Sequence, residues 1–206
     1  MPGTVLNRLI AATGIAVVVI VVIALTDTHH PVNTASTHQP KLSTVIPPPT
    51  TPPPSLIARP GDIPLDHVDP CTILTSAQRR TLSLDSTPTP YVDPEFDQAK
   101  ACSIRGLESG TEARLALVTS MGVDVWLSDT AQVDAQATTA SGYPALVVRT
   151  PGLTSICNVE VDAADNEFLD VMLRDGGNNP PIPQDALCDG AEQVADAAVT
   201  SLVDKK

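Results

Sequence analysis

Residues 157–173 read CNVEVDAADNEFLDVML, and this stretch decides the fold class. Apolar and polar residues alternate on both sides of a central polar run, which is the period of β-strands with one buried face. The Asp and Asn residues within positions 162–166 tolerate turn geometry. The stretch therefore predicts two antiparallel strands, residues 157–161 and 167–173, joined as a hairpin.

Further strands are expected upstream of this hairpin. Residues 101–107 and 113–119 are rich in apolar residues and are separated by Glu108-Ser109-Gly110, which favours a turn. Residues 145–149 form another β-rich run directly after Gly142-Tyr143-Pro144. These segments predict an antiparallel sheet in the middle of the domain.

Two segments near these strands are harder to assign. Val123, Val125 and Leu127 alternate and predict a strand, whereas residues 129–136 fit a short helix leading away from it. Residues 87–94 contain three prolines and are predicted to form a loop.

Helices are predicted at both ends of the domain. Thr75 precedes a helical segment, and Gln78 three residues later completes a capping box. Residues 185–203 carry a stripe of apolar residues at helical spacing, which needs a sheet or another helix to cover it. The fold class is therefore α+β: an antiparallel sheet with the helices of both ends packed on one face.

Four cysteines, Cys71, Cys102, Cys157 and Cys188, all lie in this domain. An even number of cysteines in an exported chain indicates two disulfides, for which three pairings are open. We favour Cys71 with Cys102 and Cys157 with Cys188, since each pair joins the start of a helix to a strand. A zinc site is disfavoured because no C-x2-C spacing occurs.

The first residues of the chain predict a membrane anchor. Residues 9–25 read LIAATGIAVVVIVVIAL, an uncharged run about long enough to cross a bilayer. Arg8 precedes it and no Lys or Arg follows until Lys41, which places residues 1–8 in the cytoplasm. We assign residues 9–26 to a single-pass anchor in the plasma membrane, with the C-terminal domain outside. A cleaved signal peptide is the alternative, although residues 24–27 lack a good cleavage site.

A spacer separates the anchor from the domain. Residues 47–54 read PPPTTPPP, which favours extended polyproline II structure because proline has no N–H group to donate. We expect residues 27–64 to form a disordered Pro-rich linker and residues 65–206 to form the extracytoplasmic α+β domain.

The charge of the chain excludes one class of partner. The net charge is −12, and most acidic residues follow Leu65. Such a surface repels phosphate backbones, and no stripe of Lys and Arg offsets it. Binding to nucleic acid is therefore not expected.

No catalytic, cofactor-binding or metal-binding residues are assigned from the sequence. His67 at the domain edge does not supply a Ser-His-Asp set, and all cysteines are expected to be oxidised. Two acidic clusters, Asp93/Glu95/Asp97 and Asp162/Asp165/Glu167/Asp170, fit solvated turns better than metal or acid–base sites. Trp126 is expected to be a core residue rather than a partner's anchor.

Several short motifs together resemble an actinobacterial family, domain-of-unknown-function family 3558. They cover about residues 68–204 and comprise Asp69-Pro70-Cys71, Leu74-Thr75, Cys102-Ser103-Ile104, Gly142-Tyr143-Pro144-Ala145, residues 157–161 and Cys188. The sequence departs from the family in lacking a lipobox Cys and in having Ile104 where an aromatic residue is common. The resemblance implies a secreted or membrane-anchored protein and no particular activity.

Three functions remain open on this basis. The first is a binding or interaction module of the cell envelope for a protein, glycan or lipid. The second is a carrier of a hydrophobic envelope molecule, and the third, with least support, is a hydrolase that uses acidic residues. An apolar cavity, an exposed patch and carboxylates with perturbed pKa values would distinguish them.

Overall fold

Alternation of apolar and polar residues builds a seven-stranded antiparallel sheet in the computed structural model, which describes residues 54–205. The strands are β1 (Thr89–Asp93), β2 (Ala99–Gly106), β3 (Thr111–Val118), β4 (Asp134–Ala140), β5 (Tyr143–Arg149), β6 (Ile156–Ala164) and β7 (Glu167–Asp175). Two α-helices, α1 (Ser76–Thr81) and α2 (Gln184–Asp204), complete the fold together with three short 3₁₀ helices.

The sheet consists of two meanders that meet in its centre. Its strand order is β1-β2-β3-β7-β6-β5-β4, so β1 and β4 are the edges. The hairpin of β6 and β7 is confirmed, with Cys157 opposite Leu173 and Glu160 opposite Asp170. Its turn is tighter than expected, since both strands extend to Ala164 and Glu167.

One face of the sheet is covered by α2. Alternate residues of β6 and β7, among them Val159 and Val171, are fully buried in a cluster that includes Leu187 and Val194 of α2. Gly190 permits the close approach, because a Cβ atom there would lie 2.5 Å from Leu173 Cδ2. The predicted C-terminal helix is thus present and covers the sheet with its apolar stripe.

The predicted capping box begins α1. Thr75 accepts a hydrogen bond from the backbone N–H of Gln78, and the Gln78 side chain accepts one from the Thr75 N–H. Gln78 also donates to the carbonyl of Ala197, which ties α1 to α2.

Both favoured disulfides are present. Cys71 pairs with Cys102 and Cys157 pairs with Cys188, each over a separation of 31 residues. Cys71 lies in a 3₁₀ helix at Pro70–Thr72, just before α1, and Cys188 lies in the first turns of α2. Each bridge therefore fastens a helical segment to a strand.

Two local predictions were wrong. Residues Val123–Leu127 form a 3₁₀ helix instead of a strand, and residues 129–136 contain the start of β4 instead of a helix. The 3₁₀ helix directs Val123, Val125, Trp126 and Leu127 to one apolar cluster, which a strand of period two could not do.

The predicted loop at residues 87–94 was also wrong, since it contains β1. Pro90 is compatible with this strand because β1 is an edge, where one side of the backbone needs no hydrogen-bond partner.

The packed part of the chain begins upstream of Leu65. Ile63 is buried and its N–H donates to the carbonyl of Ala163, while Arg59 forms ion pairs with Asp162 and Asp165 at the β6–β7 turn. No helix among residues 54–205 is long and apolar enough to span a bilayer. The predicted anchor at residues 9–26 and positions 27–53 of the linker lie outside the described residues.

Candidate functional site

The second face of the sheet is only partly covered. Side chains of the 3₁₀ helices at Pro94–Phe96 and Val123–Leu127 pack on it beside Phe168, and Phe96 meets Phe168 edge-on at 5.7 Å. Beyond this apolar cluster the same face carries polar side chains from β1, β2, β3 and β7. We call the depression over them the sheet groove.

The sheet groove has a volume of about 870 Å³. This lies within the range of about 300 to 1,000 Å³ that is usual for ligand sites. Its lining combines guanidinium, carboxylate, hydroxyl and apolar groups, from Ser86, Thr87, Thr89, Tyr91, Asp93, Pro94, Glu95, Ser103, Arg105, Leu107, Glu112, Arg114, Met172 and Arg174.

Arg114 of β3 lies at the base of the groove. One terminal nitrogen, Nη1, donates to Asp93 Oδ2 at 2.9 Å, and the other, Nη2, donates to Asp170 Oδ2. The guanidinium carbon lies 5.6 Å from the centre of the Phe96 ring, a cation–π distance. Two nearly buried carboxylates thus hold this arginine in one orientation, while its flank lines the groove.

A buried pair of carboxyl groups lies behind Arg114. Glu160 and Asp170 are directly opposite each other on β6 and β7, and both are 0% exposed. Asp170 also accepts a hydrogen bond from Asn158 at 2.6 Å. No N–H or hydroxyl group of the described residues donates to either carboxyl oxygen of Glu160, and its side chain shares a hydrogen bond with Asp170 when one of the two carboxyls is protonated.

The environment determines which of the two carboxyls is charged. Burial, and then the neighbouring charge of Asp170, raises the pKa of Glu160 well above its usual value. Burial also raises the pKa of Asp170, but Arg114 and Asn158 oppose that rise. We therefore assign the proton to Glu160 and the negative charge to Asp170.

A second charged row crosses the outer part of the groove. Arg105, Glu112 and Arg174 lie side by side on β2, β3 and β7. Glu112 Oε2 accepts from Arg105 Nε at 3.1 Å and from Arg174 Nη2 at 2.7 Å, while Ser103 donates to Oε1. These contacts hold the pKa of Glu112 below its usual value despite its partial burial.

The wall on the β1 side carries Thr89 and Tyr91. Both lie on the edge strand, opposite Ser103 and Ala101. Burial raises the pKa of Tyr91 to about 12, so its hydroxyl stays protonated at neutral pH. The ring therefore offers the groove an apolar face with a polar tip.

Among the described residues no group of three or more His, Cys, Asp or Glu side chains is arranged to hold a metal ion, and the acids of the two clusters make other contacts. In the first cluster, Asp93 binds Arg114 and caps the next 3₁₀ helix through the Glu95 N–H. In the second, Asp162 and Asp165 bind Arg59, whereas Asp170 belongs to the buried pair.

The remaining acid of the second cluster, Glu167, accepts a hydrogen bond from the backbone N–H of Leu65. The cluster is therefore divided between the β6–β7 turn and the interior. Trp126 packs partly buried in the apolar cluster, edge-on to Phe96 at 6.3 Å.

The groove residues Arg105, Glu112, Arg114 and Arg174 were missed by the sequence reasoning. In the sequence, the alternation along β2, β3 and β7 was the pattern that could have identified them. In each strand, the residues that alternate with those of the α2-side core have their side chains on the opposite face of the sheet. Which of them meet depends on the register between strands far apart in the chain.

Comparison with known proteins matches the chain to a family model. A family model described as "Protein of unknown function (DUF3558)" matches residues 26–201, which includes the entire sheet. No curated protein and no solved structure matches the chain.

Proposed function

The chain belongs to the DUF3558 family, and on that premise we propose that its domain is a binding module of the cell envelope that holds a ligand in the sheet groove. The observation that carries this proposal is the groove of about 870 Å³ on the sheet face opposite α2. Its polar groups are held in place by ion pairs, so a ligand would meet a pre-organised surface.

The location is part of the same proposal. Residues 9–26 would anchor the chain in the plasma membrane, with residues 1–8 in the cytoplasm, the residues between the anchor and Arg59 as spacer, and the domain outside the cell. The two disulfides support export, because disulfides persist in oxidising compartments and are rare in the cytosol. The partner would then be an envelope protein, glycan or lipid.

Two other functions receive less support. A carrier needs an enclosed apolar cavity, whereas the sheet groove is open and has charged walls. Acid catalysis of hydrolysis needs a carboxyl with a raised pKa that touches the substrate, but Glu160 is fully buried and does not line the groove, and the pKa of Glu112, which does line it, is lowered.

The test is native mass spectrometry of the full chain in nanodiscs after exposure to an envelope extract. Thr89→Trp would fill the groove from the exposed edge strand β1, and Thr139→Trp makes the same change on the opposite edge strand β4. We expect a retained mass with the wild type and with Thr139→Trp, and its loss with Thr89→Trp.

Retention by all three proteins would place the ligand elsewhere and contradict the groove. A retained mass in the range of a lipid, lost with Thr89→Trp, would assign a lipid to the groove and favour the carrier. No retained mass with any of the proteins would contradict a stably bound ligand.

A further inference from the structure

The charged row of Arg105, Glu112 and Arg174 in the sheet groove contains guanidinium N–H donors that have no hydrogen-bond partner among the described residues. Arg105 is 67% exposed and Arg174 is 45% exposed. Only Nε of Arg105 and Nη2 of Arg174 have partners among the described residues, and the partner is the same carboxylate, Glu112. Both terminal nitrogens of Arg105 and two nitrogens of Arg174 are therefore available to a ligand.

Glu112 is already engaged by three donors. Its two oxygens accept hydrogen bonds from Ser103, Arg105 and Arg174. Two guanidinium groups share one carboxylate, so the row retains one positive charge in a chain of net charge −12. A carboxylate on a ligand could neutralise that charge through bidentate hydrogen bonds, the geometry that arginine favours.

The rest of the groove fits hydroxyl groups. The Thr87 hydroxyl can donate and accept a hydrogen bond, Ser86 Oγ accepts from the Arg105 N–H and keeps its own proton to donate, and Thr89 Oγ1 donates to the Thr87 carbonyl and can still accept. Glu95 is 77% exposed and can accept from a ligand hydroxyl, and the Tyr91 ring can lie against an apolar ring face. A ligand with many hydroxyls, ring faces and a carboxylate matches this set of groups.

An extended peptide is a poorer match. Peptides commonly bind at a sheet edge by pairing their backbone with the edge strand. Pro90 in the centre of β1 has no N–H group and weakens such pairing. Recognition would therefore use side chains more than the backbone of β1.

From these observations we infer that the sheet groove binds an acidic saccharide, with a sugar carboxylate on Arg105 and Arg174 and a sugar ring beside Tyr91. This inference rests on the proposed binding function and names the ligand class. A volume of about 870 Å³ suits a short stretch of saccharide rather than a long one.

The experiment is calorimetric titration of the full chain in nanodiscs with trigalacturonic acid and with its fully methyl-esterified form. The ester removes the negative charge of each carboxylate and adds a methyl group, while the sugar rings and hydroxyls stay the same. We expect the acid to bind at least tenfold more tightly than the ester, since hydrogen bonds from a guanidinium to a carboxylate are stronger than those to an uncharged ester.

The Arg105→Gln/Arg174→Gln double variant should lose this preference. Its matched control is Arg80→Gln/Arg149→Gln, which removes two positive charges outside the groove and should keep the preference. Thermal unfolding of both double variants checks that they are folded. The acidic peptide triglutamate serves as a third probe and should bind at least tenfold more weakly than trigalacturonic acid.

Several results would overturn the inference. These are equal affinity for acid and ester, no binding of either saccharide, a preference that survives in Arg105→Gln/Arg174→Gln, or equal binding of triglutamate. The last would assign an acidic peptide to the groove. If an envelope ligand is nevertheless retained and is displaced by Thr89→Trp, the binding function stands and only the ligand class is wrong.

Discussion

Glu160 is the residue whose environment departs most from that of a free side chain. It lies opposite Asp170 in the interior of the sheet, and the hydrogen bond of its side chain is to that second carboxyl group. An ionised carboxylate in that position would be costly, so the group stays protonated. Its neighbour Asp170 keeps the charge that orients Arg114 toward the groove.

Glu160 should make the protein less stable as the pH rises. Its folded-state pKa is raised above 4.5, its usual value, so above that pH the unfolded chain releases a proton that the folded protein retains. The free energy of unfolding should therefore fall from pH 4.5 up to the folded-state pKa and then level off. Glu160→Gln should flatten this fall, because glutamine resembles the protonated acid in shape and does not titrate.

Urea unfolding at several pH values measures how the free energy of unfolding depends on pH. Glu108→Gln, on the exposed β2–β3 turn, is the control. Relative to the wild type, Glu160→Gln should gain stability as the pH rises from 4.5 to the folded-state pKa of Glu160, at about 1.4 kcal/mol per unit of pKa shift removed. Identical pH profiles for wild type and Glu160→Gln would show that Glu160 is ionised in the folded protein.

At the scale of elements, strands and helices were predicted most accurately where a single hydrophobic pattern runs through the whole element. The β6–β7 hairpin and α2 were predicted because alternation and helical spacing run through them without interruption. β1 was missed because proline usually breaks strands, and only its position at the sheet edge makes Pro90 acceptable. Val123–Leu127 was assigned to a strand because three of its apolar residues alternate at period two. The same spacing also fits a 3₁₀ helix that packs on a surface, which is the structure that these residues form.

The disulfides join the elements, and both should contribute similarly to stability. Each closes a loop with a separation of 31 residues, so loop entropy gives about 3 to 4 kcal/mol for each bridge. We expect Cys71→Ser/Cys102→Ser and Cys157→Ser/Cys188→Ser to lose comparable amounts of unfolding free energy in urea, each serving as the other's control.

Peptide mapping without reduction, on protein taken from its native membrane, checks the bridges themselves. Peptides joined as Cys71–Cys102 and Cys157–Cys188 are expected. Free thiols at these positions in the native membrane would contradict export of the domain, and exchanged pairs would contradict the fold around them.

At the scale of the whole molecule, the two faces of the sheet have different roles. The face toward α2 holds the main apolar core and both bridges, whereas the other face holds a smaller apolar cluster and the sheet groove. None of the groove arginines was identified from the sequence, because Arg105, Arg114 and Arg174 come to line one groove only through the register of β2, β3 and β7. The fold class and the disulfide pairing were predicted from patterns within short segments of the sequence. The groove residues come from strands that are far apart in the chain, and sequence patterns do not give the register between those strands.

The central claim is that the sheet groove contacts an envelope component in the cell. The most direct measurement is photo-crosslinking of the full chain in intact cells, with p-benzoylphenylalanine placed at Thr89 in one strain and at Thr139 in another. The proposed function predicts an adduct from position 89, beside the groove, and none from position 139 on the far edge. Equal adducts from both positions, or an adduct from position 139 alone, would contradict it.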